Sequence, residues 1–188
     1  MLGVDIVSFG APQRDEGIQR RLRQVMYTAM QDTFAITCLP WAEAHKEDRG
    51  DGIMIVLPPD VHSFLLLDPL AHHLNAVLRR HNMILSEAAR LRLRVAVHAG
   101  YIFVDEFGVG GHALNHLFRL LESRDFKEAI ALEGADLGLI VSDSMYGDVL
   151  GGGVYIDPTG YRSLRVKCKE TVADAWLWLP GQGRCECG

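Results

Sequence analysis

The sequence is poor in the features that would take a protein out of the cell or onto a nucleic acid. Its 188 residues hold four cysteines, Cys38, Cys168, Cys185 and Cys187. That number, with no secretion signal beside it, suits reduced thiols rather than a disulfide-stapled scaffold. The first residues are a short apolar stretch interrupted by Asp5, unlike a signal peptide. No apolar run approaches the ~18 residues that span a bilayer. Lys and Arg number 19 against 24 Asp and Glu, for a formal charge of −5. The basic stripe of a duplex-binding protein is missing, and the clusters Arg20-Arg21-Arg23 and Arg79-Arg80 lie in helical patterns, as solvated faces do. There is no repeat, low-complexity tract or interdomain linker. These absences argue for one cytoplasmic domain over residues 1–188, with neither membrane nor nucleic acid as a partner. Cys185-Glu186-Cys187 is a lone C-x-C close to the end, open to reading as a metal pair or as a frayed tail.

What is present is enough apolar sequence for a core, at 48% of residues. Leu2 to Ser8 reads as a strand carrying one charge, Asp5. Gln13 to Phe34 reads as a helix with Ile18, Leu22, Val25, Met26, Ala29, Met30 and Phe34 on one stripe. Trp41 to Glu47 and Ile53 to Leu57 read as strands joined by the tight turn Arg49-Gly50-Asp51-Gly52. A long helix is expected from Val61 to Arg90, burying Leu70, Leu74, Val77, Leu78, His81 and Leu85. Leu91 to Ala99 alternates as a strand does, with a partner strand beginning at Tyr101. Gly108, Gly110 and Gly111 predict a flexible connection into a helix from His112 to Ser123. Short elements follow over Leu137–Val141, Ser142–Val149, Tyr161–Lys167 and Asp174–Leu179. This order predicts an α+β fold: an antiparallel-rich sheet with helices packed on one face.

Several polar residues stand out from this pattern. Asp5 interrupts a core strand, and a carboxylate there needs a cation or several donors; it could also cap the following helix. Asp51 is either a hairpin-turn residue or a second hard oxygen ligand, since two carboxylates on adjacent strands can clamp two metal ions on a triphosphate. Asn115 and Arg119 lie one helical turn apart, opposite the buried side of their helix. They present an amide and a planar guanidinium, the latter suited to a reacting phosphate. Lys167 and Lys169 share one face of a late strand, where lysines also guard sheet edges.

In this order, the pieces resemble the class III adenylate and guanylate cyclases. Val4-Asp5-Ile6-Val7-Ser8-Phe9 is similar to that family's first metal motif and Arg49-Gly50-Asp51-Gly52 to its second. Arg94 to Gly100, ending His98-Ala99-Gly100, resembles the strand closing in H-x-G. Gly111 to Leu120, with Asn115 and Arg119, resembles the G-x-x-V-N-x-x-x-R-L helix start, and Val166-Lys167-Cys168-Lys169 resembles V-K-G-K. The resemblance spans essentially the whole chain.

It implies a ferredoxin-like, palm-type fold and a cyclase that turns a nucleoside triphosphate into a 3′,5′-cyclic nucleotide and pyrophosphate. Asp5 and Asp51 would ligate two Mg²⁺ or Mn²⁺ ions, helped by the Ile6 carbonyl, with Ile6 and Phe9 at the substrate. Asn115 would orient the ribose, Arg119 would meet charge at the α-phosphate, and Lys167 would contact the phosphates. The aspartates and the Asn/Arg pair would come from different subunits of a homodimer. Two departures concern the base. Glu47, four residues before Asp51, is the residue type that guanylate cyclases use to accept hydrogen bonds from guanine. Gly108, at the family's second base-reading position, offers no side chain, and the segment from His98 to Asn115 is several residues shorter than in the purine cyclases. GTP is thereby favoured, with pyrimidine nucleotides open. The alternative is a catalytically degenerate module that keeps the dimer and binds nucleotide without turnover.

Overall fold

The computed structural model describes residues 1–151 and 156–181; Cys185 and Cys187 lie outside the described residues. The first four strands are β1 (Leu2–Ile6), β2 (His45–Asp48), β3 (Gly52–Val56) and β4 (Leu93–Val97). With helices α1 (Glu16–Ile36) and α2 (Leu70–Asn82) they form a βαββαβ unit. Later strands are the short β5 (Phe103–Asp105) and β6 (Gly108–Gly110), then β7 (Leu137–Ser142), β8 (Tyr161–Cys168) and β9 (Thr171–Trp178). The main sheet runs β2-β3-β1-β4-β7-β9-β8, and β5 and β6 pair as a separate hairpin. Of the main-sheet pairings, β4–β7 is parallel and the rest are antiparallel. The order β2-β3-β1-β4 is the ferredoxin-like arrangement expected from the sequence.

Helices cover both faces of the sheet, not one. Alternation along the strands divides the core in two. Leu2, Val4 and Ile6 of β1 pack with α1 and α2. The other face carries Met54, Ala96 and Ile140 under α3 (His112–Glu122) and α4 (Arg124–Glu133). A last helix, α5, covers Asp143–Gly151.

Local chemistry sets the helix limits. Asp15 caps α1, its side chain accepting from the Ile18 N–H. The expected helix from Val61 to Arg90 is broken at Pro69, which cannot donate within a helix and stands at the start of α2. Short 3₁₀ turns at Ser63–Leu66 and Glu87–Ala89 replace its ends. Helix α2 stops at Asn82, whose amide bonds both the N–H and the carbonyl of Leu91. Leu85, expected on the buried side, is therefore 40% exposed. Helix α4 was not anticipated; Ser123 caps its start and Gly134, left-handed at φ 60°, ends it. The glycines expected as a flexible connection include β6, so the strand beginning near Tyr101 pairs with Gly108–Gly110 and not with β4. Strand β2 begins at His45, later than expected, and β9 begins at Thr171, earlier than expected.

Candidate active site

The two aspartates are brought together by register. Asp5 lies opposite Gly52 in the β1–β3 ladder, and the Ile6 N–H donates to the Asp51 carbonyl at 2.9 Å. A Cβ at residue 52 would collide with the Val4 carbonyl oxygen, so glycine there lets the Asp51 turn lie close against β1. Asp5 shares the sheet face of Gly3, which sits under Leu117 and Leu121 of α3. Both aspartates line a cleft of about 500 Å³, with Arg49, Arg94, Glu122 and Lys127 as the other charged walls.

The two carboxylates differ in environment. Asp51 is exposed, and its side chain has no hydrogen-bond or ion-pair partner among the described residues. Asp5 is forked onto Arg94, with Nε to Oδ1 at 2.7 Å and Nη2 to Oδ2 at 2.8 Å. Burial pushes the Asp5 carboxyl above its ordinary pKa against the pull of Arg94, and the charge of Asp51 adds to the rise. Hard oxygens from two adjacent strands fit a divalent cation in donor type. Among the described residues, no group of three or more His, Cys, Asp or Glu surrounds a common point, so any such ion would take further ligands from a bound phosphate, water or the Ile6 carbonyl.

The loop after β1 is tied down by a residue the sequence reading passed over. Arg14 is 7% exposed. Its guanidinium donates to the carbonyls of Val7, Ser8, Ala88 and Arg90 at 2.7–3.1 Å. It thus clips the loop that follows Asp5 to the segment leading into β4. The expected substrate contacts in this loop are only partly available. The Ile6 side chain is 1% exposed in the core, which leaves its backbone. Phe9 is half-buried and packs on the α1/α2 core.

Glu47 stands next to the cleft and meets the hairpin that carries Gly108. Its Oε1 accepts from the Val109 N–H at 3.3 Å and pairs with His45 Nε2 at 3.0 Å; Oε2 accepts from Arg49 at 2.9 Å. The His45 contact leads in holding its carboxyl below the usual range. Gly108 has φ +121°, and a Cβ there would lie 3.1 Å from Glu47 Oε1. Glu47 and Gly108 are therefore neighbours. Arg49 continues the line, its guanidinium 5.1 Å over the Phe118 ring of α3.

Asn115, Arg119 and Lys167 do not line the aspartate cleft. Asn115 is exposed on α3. Arg119 reaches the β8–β9 turn, where Nη2 donates to Glu170 at 3.0 Å, while its buried Nε has no partner among the described residues. Lys167 is exposed on β8, which packs beside α3 and α4; its backbone N–H donates to Asp125 at 3.0 Å. Helix α3, which carries Asn115 and Arg119, gives Phe118, Leu121 and Glu122 to the aspartate cleft instead. Arg94 and Lys127 were given no role in the sequence. The first needed the β1–β4 register, which pairs Asp5 with Arg94. The second needed α4. The His98 ring of the H-x-G strand is 9% exposed, bonds Ser142 Oγ at 2.7 Å and meets the His116 ring edge-on. Burial first, then His116 and the terminal amine, lower its pKa to about 4.

No protein-family model matches the sequence, and no curated protein is similar to it. Solved structures do match in shape. An adenylate/guanylate cyclase/hydrolase from Silicibacter pomeroyi superposes with a TM-score of 0.66 at 15% identity, over 95% of this chain and 94% of its own. Two structures of a bacterial light-regulated adenylyl cyclase give TM-scores of 0.57 and 0.59 at 9% and 8% identity. They cover 98% and 97% of this chain, and 52% and 89% of their own. The chain therefore has the class III cyclase-like fold, a mixed α+β domain built on a large, mostly antiparallel sheet.

Proposed function

We propose that the protein is a nucleotidyl cyclase that works as a homodimer, converting a nucleoside triphosphate to its 3′,5′-cyclic nucleotide and pyrophosphate. The observation that carries this reading is a division on a cyclase-like fold. Asp5 and Asp51 share one cleft, while Asn115, Arg119 and Lys167 do not line it. A two-fold axis can bring the second set of one protomer to the first set of its partner. Asp5 and Asp51 would hold two Mg²⁺ or Mn²⁺ ions, which supply hard-cation stabilisation of the charge on the reacting phosphates. Arg119 faces the charge that builds on the α-phosphate as the ribose 3′-oxygen bonds to it and the bond to the β-phosphate breaks. The amide of Asn115 orients the ribose, and Lys167 holds the triphosphate. Glu47 accepts from the base, which favours guanine over adenine because guanine offers an ionised carboxylate two adjacent N–H donors, whereas adenine offers an amine beside an acceptor.

A second reading, a nucleotide-binding module without turnover, is favoured by one observation. The oxygens of Glu47 already meet Val109, His45 and Arg49, which leaves less acceptor capacity for a base. Incubation with each of the four NTPs and Mn²⁺, read by mass spectrometry for cyclic nucleotides, separates the two. Cyclic product from any one supports the cyclase; nucleotide binding without product supports the module.

A further inference from the structure

The aspartate cleft is already neutralised by the protein's own cations. Its charged walls are Asp5, Asp51 and Glu122 against Arg49, Arg94 and Lys127, three of each sign. Arg94 is the most committed of the cations. Both oxygens of Asp5 accept from it, and the two side chains are only 14% and 13% exposed. A bare dication entering here would add two positive charges to a neutral cleft and would have to displace a guanidinium held in fork geometry. A dication carried on a triphosphate arrives with net negative charge, and its phosphate oxygens offer the released guanidinium a new planar partner. We propose that Arg94 is a positioning residue that keeps Asp5 occupied until nucleotide arrives, so that metal binds in the cleft with or after the nucleotide and hardly at all without it. This rests on the cyclase reading of the same cleft and adds an order of binding to it.

The test is Mn²⁺ affinity, read by electron paramagnetic resonance on the full chain, without nucleotide and with the α,β-methylene triphosphates of the four bases. In the wild type, free Mn²⁺ should bind weakly and tighten with a fitting analogue. In Arg94→Met, which removes the charge and keeps much of the stem, free Mn²⁺ should bind about tenfold more tightly or better, the scale of one like charge removed from a few ångströms away. Arg94→Lys should retain most of the wild-type weakness. Arg94→Met binding free Mn²⁺ no more tightly than the wild type overturns the proposal while leaving the cyclase reading intact. Should Arg94→Met fail to fold, the wild type decides alone: equal Mn²⁺ affinity with and without analogue overturns it. No Mn²⁺ binding by any protein with any analogue removes the cyclase reading, and this inference with it.

Discussion

The two halves of the proposed site are built on opposite electrostatic plans. On the aspartate side, carboxylates and cations are matched in number, and the most buried carboxylate is forked onto Arg94. Among the described residues, Arg119 of α3 keeps a buried nitrogen without a partner, and its one ion pair is to Glu170, whose side chain is 74% exposed. The first half is closed on itself within one chain. The second is held open by a weak surface contact.

The sharpest way to break this contrast is to disable one half at a time. Asp51→Asn and Arg119→Ala should each lower turnover by about three orders of magnitude, the scale of losing one metal ligand or one transition-state donor. Mixing the two variants should restore part of the activity, because a mixed dimer regains one complete site. Full activity in a strictly monomeric preparation, judged by light scattering, would refute the shared site.

Stability should separate the halves almost as clearly. Asp5→Asn leaves Arg94 buried without its counter-ion and should cost about 3 kcal/mol in urea unfolding. Arg119→Ala removes only an exposed pair and should cost less than about 1 kcal/mol. Equal losses would mean that the two plans are not different.

A smaller effect is expected at the base end, where Glu47 joins the cleft to the β5–β6 hairpin. Glu47→Lys should reduce use of GTP relative to ATP by about tenfold, as one or two acceptor contacts are lost. An unchanged preference would mean that Glu47 serves only to hold Val109 and Arg49 in place.

A separate effect concerns pH dependence. His98 titrates near 6.5 when unfolded and about 4 when folded, so the unfolded chain binds the extra proton between those values. Stability should therefore fall as pH drops from about 6.5 toward 4, by roughly 3 kcal/mol. His98→Asn should flatten that slope without steepening it elsewhere.

Much of the fold was legible because its strands carry their own period. The alternation from Leu91 to Ala99 and the stripes of α1 and α3 predict elements the structure contains. Pro69 should have divided the expected long helix, and its apolar spacing on both sides hid the break. Helix α4 escaped because it is short and its buried face is only Phe126, Ala129 and Ile130. At the site, Asp5 and Asp51 were visible as charges in apolar or turn contexts. Their surroundings were not. Arg94 is 89 residues from Asp5, and only strand register brings them together. Arg14 was hidden for a related reason: its partners are main-chain carbonyls, which leave no mark in the sequence.

The position of β1 has a consequence for how the chain comes off the ribosome. The strand that carries Asp5 leaves the exit tunnel before its neighbours on either side, residues 52–55 and 93–97. Residues 93–97 must be synthesised before the middle of the sheet can close. Until then β1 is an apolar segment with two unpaired edges, open to wrong pairing with whatever strand emerges nearby. Loop closure over such spans is slow. The strand at the centre of the sheet is thus made before the strands that flank it and pairs only when they arrive, and slowing translation between residues 60 and 90 would lengthen that exposed interval.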